Sequence, residues 1–324
     1  MSKFYDYEGN IIADVTFVTP EMFGAKGDGV TDDGPAFKEM LKNGNVVCYL
    51  QPKTYKIATE NNVYSNTFII GNGATLDVTN NCNAFLICER GNWAYGYEGS
   101  NNVVISDMTI NMNGMAKNHA IIVHAQNITF RRCVFLNIDG AHSMEVNASR
   151  NVLFDNCEFK NLSYGSDRKE AINIDPASEG TTVNYGYYDN TNSDYITIKN
   201  CLFDHCFAPF GNHELTDYRG NEVRFIGCTV RNCTRGANCH SYKNLYIQDS
   251  VFDGIDLDCI RLKGTQNVHV CNNVITSTGK AISIEGTDAN VILSQNIISS
   301  EDTTPIAVAD TASNVGTLNN MVLD

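Results

Sequence analysis

The amino-acid sequence predicts an all-β protein built as one parallel β-solenoid, with a short helix capping its N-terminal end. Three observations lead there. First, the segments NVVISDMTINMN, NITFRRCVFLNI, NVLFDNCEFKNL, DYITIKNCLFDH, NEVRFIGCTVRN, NLYIQDSVFDGI, NVHVCNNVITST and NVILSQNIISSE align on Met108, Cys133, Cys157, Cys201, Cys228, Ser250, Asn273 and Asn296. The steps between these anchors are 25, 24, 44, 27, 22, 23 and 23 residues, and a near-constant period of this length marks a repeat architecture. Second, each unit opens on Asn or another turn former and then alternates apolar with polar residues in short pieces, which is the pattern of strands. Third, no sustained 3.6-residue periodicity runs through the repeats, which argues against helical or leucine-rich arrays.

The elements follow in order. In TPEMFGAKGDGVTDDGPAF, Asp32 or Asp33 can N-cap a helix with Pro35 in its first turn, ending near Lys42 before Asn43-Gly44. Such a helix covers the otherwise bare edge of the first coil. Asp28, Asp32 and Asp33 invite a calcium reading, but turn and cap roles explain them more simply. We therefore divide the chain into a segment with its capping helix at 1–45 and one continuous β-helix at 46–324. Each coil buries its inward residues only by stacking on its neighbours, about 4.8 Å apart. The aligned Cys, Ser and Asn then form an inward ladder. The long steps place insertions at Ala177–Ser193 and Ala208–Gly220, expected as loops on one face.

Composition bounds the function. The 324 residues carry 23 Lys+Arg against 37 Asp+Glu, a net charge of −14, which disfavours nucleic acid and anionic membranes as partners. No apolar run is long enough for a transmembrane helix, and MSKFYDYEGNIIADVTF lacks the basic start and apolar block of a secretory signal. Of the twelve cysteines, Cys133, Cys157, Cys201 and Cys228 sit in apolar, strand-like contexts, and no CxxC pair occurs. Buried free thiols are therefore expected rather than bridges, and neither a zinc site nor another cofactor.

A second short strand precedes each anchor strand: HAIIVH, GAHSMEVNA, EAINIDP, FGNHE, GANCHS, CIRLKG and AISIEG. Setting Val123, Val146, Ile174, Asn212, Cys239, Leu262 and Ile284 inward gives two outward columns. One holds His124, Asn147, Asp175, His213, His240, Lys263 and Glu285; the other holds Ile122, Glu145, Asn173, Gly211, Asn238, Arg261 and Ser283. A plain solvated face offers Ser, Thr and Lys more readily than carboxylates beside histidines.

Glycoside hydrolysis needs two carboxyl groups within reach of one glycosidic bond. Glu145 and Asp175, on adjacent coils, are the candidate pair, with His213 and His240 assisting. His213 is expected to stack on Asp175, which would orient its ring and raise its pKa. Arg261 and Lys263 are candidate ligands for a sugar carboxylate, with Asn173, Asn147 and His142 lining the groove. Glu170 is either a proton donor or a turn residue, and by parity it starts inward or at the turn. His142 carries the same ambiguity. Asp139, Asp167 and Asp256 read as turn residues, and His119, His205 and His269 as packing or surface residues. Of two aromatic clusters, Tyr187 and Tyr188 (with Tyr185) read as ligand contacts, whereas the loop of Trp93, Tyr95 and Tyr97 reads as packing. A groove that holds a glycan without cleaving it is the alternative to hydrolysis. So is a lyase, in which Lys263 or Arg261 serves as base.

GAKGDGVTDDGPAF, VVCYLQPKTYKI and FIIGNGATLDV resemble the opening of the pectate-lyase-like superfamily of β-helix proteins, which includes polygalacturonases and many bacteriophage tailspikes. GAHSMEVNASRNVLFDNCEF, KEAINIDPA, FGNHE and RGANCHS are similar to β-helix proteins of phages and prophages of Gram-positive bacteria. The resemblance covers nearly the whole chain. It implies a single-stranded right-handed parallel β-helix, a polysaccharide or oligosaccharide partner, a homotrimer, and a virion tail or prophage product acting outside the cell after release. Arg261-Leu262-Lys263 resembles the polygalacturonase RIK motif and Asn173-Ile174-Asp175 the NTD motif, while the paired DD and GHG motifs of those enzymes find no match.

Overall fold

The computed structural model describes residues 2–5, 11–88, 95–115, 117–163, 169–179, 187–213 and 220–323, with backbone alone for 2–5, 11–14 and 163. It is a parallel β-solenoid of about eleven turns. Each regular coil crosses three faces. One face runs through Ala125–Arg131, Arg150–Asp155, Ser193–Lys199, Gly220–Ile226, Tyr242–Gln248, Gln266–Cys271, Ala289–Ser294 and Ser313–Leu318, each paired in parallel with the next. The next face runs from Val134–Asp139 to Met321–Leu323. The third is a separate ten-stranded ladder that includes Ile121–Val123, Met144–Asn147, Glu170–Asp175, Ala208–Gly211, Ala237–His240, Ile260–Lys263 and Ile282–Glu285.

The corner between the first two faces explains the repeat's punctuation. Arg132, Asn156, Asn200, Gly227, Asp249, Asn272, Gln295 and Asn319 all take positive φ, a conformation that Gly and Asn tolerate at least cost. The residue after each turns inward and accepts the N–H of its counterpart one coil earlier. Cys157 N–H donates to Cys201 Sγ (3.4 Å), Cys201 to Cys228 Sγ (3.5 Å), Cys228 to Ser250 Oγ (3.1 Å), Ser250 to Asn273 Oδ1 (3.0 Å) and Asn273 to Asn296 Oδ1 (3.0 Å). The ladder ends on Asn320, which receives the Asn296 N–H at 3.1 Å. All twelve cysteines are free thiols, ten of them buried. Behind this ladder the core stacks like on like: Phe135, Phe159 and Phe203 lie with ring centroids 4.9 and 4.8 Å apart, one coil spacing.

At the N-terminal end, the helix Gly34–Leu41 buries Ala36, Phe37, Met40 and Leu41, with Phe37 edge-on to Tyr55 of an early coil. Its three neighbouring acids serve local backbone. Asp32 accepts the Gly34 and Ala58 N–H groups at 3.0 and 3.1 Å, Asp33 those of Lys26 and Gly27 at 2.6 and 3.0 Å, and Asp28 closes a turn onto Val30 and Thr31. The strands Ile11–Val18 and Asp28–Asp32 already pair in parallel with Val46–Tyr49 and Thr54–Ile57. One expectation needs correcting. Ala208–Gly211 is a strand of the third face rather than part of an inserted loop, because Phe210 continues the inward column of Ile172 into the core.

Candidate active site

In-register pairing fixes the spacing of the third face. Glu145 pairs with Asn173, Asn147 with Asp175, Asn173 with Gly211, Gly211 with Asn238, and Asn238 with Arg261. His240, Lys263 and Glu285 follow one another in the neighbouring column. For these residues the columns read from alternation are the columns of the structure.

Their centre is a buried network. Asn173 Nδ2 donates to Glu145 Oε1 at 3.0 Å and to Asp175 Oδ2 at 2.8 Å. One amide thus bridges the two carboxyl groups and keeps those oxygens within about 6 Å, the scale of a glycosidase pair. Asn147 Nδ2 donates to Glu145 Oε1 as well, at 3.0 Å. Asp175 exposes no surface; its Oδ1 accepts the His213 N–H at 3.2 Å and its Oδ2 faces His213 Nδ1 at 2.5 Å. That hydrogen bond raises the His213 pKa against the opposing pull of burial. The His213 side chain stays 48% exposed, so the Asp175–His213 pair presents its imidazole outward. Burial first, and the Asp175 charge second, push Glu145 up to about 7.

The residues at or just before each strand's start add a column that alternation did not reveal. His119, His142 and Glu170 occupy equivalent places, each four residues before the inward Val123, Val146 or Ile174. Rather than packing elsewhere, His119 stacks on His142 with centroids 5.9 Å apart and lies 3.7 Å from Glu145 Oε2. His142 Nδ1 contacts the Glu170 carbonyl at 2.9 Å, and its Nε2 lies 3.9 Å from Glu145 Oε2. Burial lowers His119 to about 4 and holds His142 well below the usual imidazole range, so both rings are neutral at neutral pH.

Glu170 settles on the groove side. Ala171 and Ile172 both enter the core, so the strand's alternation slips at its start. Glu170 Oε1 then accepts from Asn238 Nδ2 at 2.8 Å, crossing over Gly211. A Cβ on Gly211 would lie 2.8 Å from Glu170 Cγ and 2.4 Å from the Asn238 carbonyl oxygen, so glycine is needed there. Burial raises the Glu170 pKa. Farther along, the Arg261 fork engages Glu285 at 3.0 and 2.8 Å and reaches Asn238 Oδ1 at 3.4 Å. Lys263 is half-buried beside them and His240 is buried. Tyr187 and Tyr188 are exposed, and Tyr187 stacks on Tyr95. Trp93, Tyr185 and Asp167 lie outside the described residues.

A solenoid with a polar groove on its third face is shared by many proteins, and comparison narrows the kinship. The family model described as rhamnogalacturonase A/epimerase, pectate lyase-like, matches residues 18–244. The chain belongs to this pectate lyase-like family. A model for the right-handed β-helix region matches residues 181–322. Among curated proteins, the pre-neck appendage protein of Bacillus phage B103 is 23% identical over 267 residues, 70% of this chain but 27% of that protein. The chain thus corresponds to about a quarter of that relative. Among solved structures, the surface adhesin PfbA of Streptococcus pneumoniae superposes with a TM-score of 0.71 at 18% identity, over 95% of this chain and 91% of that one. The endo-xylogalacturonan hydrolase of Aspergillus tubingensis superposes with a TM-score of 0.62 at 12% identity, over 95% and 92%.

Proposed function

We propose that this pectate lyase-like chain is a polysaccharide-degrading glycoside hydrolase carried on a phage tail or appendage, in the manner of a tailspike. The observation that carries the reading is the single Asn173 amide bridging Glu145 and Asp175, two carboxyl groups placed in different surroundings. Glu145, pushed up to about 7 and so keeping its proton in about half of the molecules at neutrality, delivers a proton to the glycosidic oxygen. His213, oriented through Nδ1 by Asp175, takes the proton of the attacking water at its outward nitrogen. Asp175 is then a positioning residue. Glu170, Asn173 and Asn147 hold the network, while Arg261, Lys263 and His240 line the substrate's path beyond it. The Bacillus phage relative supports a virion location, and a homotrimer fits that setting.

One observation favours a second reading, in which the groove only binds glycan: Asp175 offers no accessible surface to a sugar. Lyase chemistry is less well supported, since the Arg261 guanidinium is already engaged by Glu285. The deciding experiment incubates the protein with bacterial capsular, wall and plant polysaccharides, reading new reducing ends together with ultraviolet absorbance of unsaturated products. Reducing ends without absorbance are expected. Absorbance would shift the case to a lyase, and glycan retention with neither signal would leave the binding reading.

A further inference from the structure

Two loops meet over the N-terminal end of the groove. Tyr95 and Tyr187 stack with centroids 3.9 Å apart and planes 6° from parallel. Both remain open to solvent, at 55% and 37%, and Tyr188 is exposed at 45%. The pair is tied down from several sides. The Gly96 N–H donates to Asp189 Oδ2 at 2.6 Å, and the Gly96 carbonyl lies 3.1 Å from His124 Nε2. Next to it, the Tyr97 hydroxyl donates to Asp194 Oδ2 at 2.8 Å under the Arg150 guanidinium, 4.2 Å from the ring centroid. The second loop is pinned at its base, where Ala177 N–H donates to the Thr191 carbonyl and Asn190 N–H to that of Ala177.

Packing accounts for Tyr97, whose ring is half-buried under Arg150. Tyr95 and Tyr187 are likewise held in place, yet they keep 55% and 37% of their surface open to solvent. His124, to which this assembly is anchored, stands two coils before Asp175 in the outward column, or roughly 10 Å away along the solenoid. Flat aromatic surface held rigid beside a groove suits the apolar C–H face of a pyranose. The carboxylates of Asp189 and Asp194 close by disfavour an anionic sugar.

We infer that Tyr95 and Tyr187 form a distal subsite for an uncharged pyranose, two coils from the reacting bond. The inference rests on the glycan-cleaving reading above and adds to it a demand on the substrate: the chain must be longer than the two sugars flanking the cleaved bond. The contact is recognition only, so it strengthens binding of long chains and leaves short ones untouched.

The test uses the full chain with Asp175→Asn as a non-cleaving background, and measures retention on gels containing a neutral Bacillus wall polysaccharide or a neutral plant galactan, with short oligosaccharides of each as competitors. Adding Tyr95→Ala should weaken long-chain binding by roughly two- to tenfold, leave short-oligosaccharide competition unchanged, and be rescued by Tyr95→Phe. Long-chain binding equal to that of the background overturns the subsite alone. An equal loss for short and long chains also overturns it, because loop collapse explains that result. Retention of neither polysaccharide by the Asp175→Asn background overturns the glycan reading itself, so the two failures are told apart.

Discussion

An inward ladder and the outward face of the third sheet both climb this solenoid coil by coil, and they behave in opposite ways. The inward ladder from Cys133 to Asn320 is repetitive. Each side chain accepts the N–H of the coil before it, and Asn273 and Asn296 also donate to carbonyls of that preceding coil, at 2.9 Å each. Every polar group meets an identical need in its neighbour, so buried polarity there costs little. The outward columns of the third face repeat nothing. Glu145, Asn147, Asn173, Asp175, Gly211 and His213 differ from coil to coil, several are fully buried, and Asn173 Oδ1 and His142 Nε2 beside them have no hydrogen-bond partner among the described residues. Like repeats stabilise; unlike ones on the same scaffold leave charge and hydrogen-bonding capacity unspent, as a reactive site requires.

The largest separation between the columns should come from Asp175→Asn. The change keeps the shape of the network but removes the charge that orients His213, so cleavage should fall at least about 100-fold while the thermal midpoint moves by no more than about 2 °C. An unchanged rate, measured as reducing ends released, would erase the distinction. Asn273→Ala should do the reverse. It strips acceptor and donor from a fully buried ladder position, which costs about 2–3 kcal/mol and lowers the midpoint by roughly 5 °C. The rate at room temperature should be retained. Calorimetry showing no shift would mean the ladder is ornament.

The subtlest effect is the pH profile. Glu145 must keep its proton, so activity declines as pH rises through about 7. His213 must be neutral to accept one, so activity declines as pH falls below its raised pKa. A narrow bell near neutrality is expected, and in the residual activity of Asp175→Asn the acid limb should move to lower pH. A profile flat across this range would detach both groups from the chemistry.

How much of this was legible in the sequence follows from where alternation reaches. Within strands, period-2 patterning fixes side-chain direction, and the pairings Asn147–Asp175 and His240–Lys263–Glu285 could be read without coordinates. The pairing held even at FGNHE, where Gly211 joins Asn173 to Asn238. Turns carry no such rule. Glu170, at a strand start where two successive residues enter the core, is left open by alternation, and His119 reads as a packing or surface residue although it stands beside Glu145. The signal that would have found it was the shared offset of His119, His142 and Glu170 from their inward residues. The Tyr95–Tyr187 stack, formed between segments distant in sequence, leaves no periodic trace at all.

Parallel in-register pairing also turns the third face into a ruler. Successive coils are clamped at one backbone spacing, so the groove's side chains stand at fixed graduations that no local repacking can stretch. New preferences can then arise by changing which residue stands at a mark, or by letting one reach across a gap such as that left by Gly211, while the distances between marks are inherited unaltered.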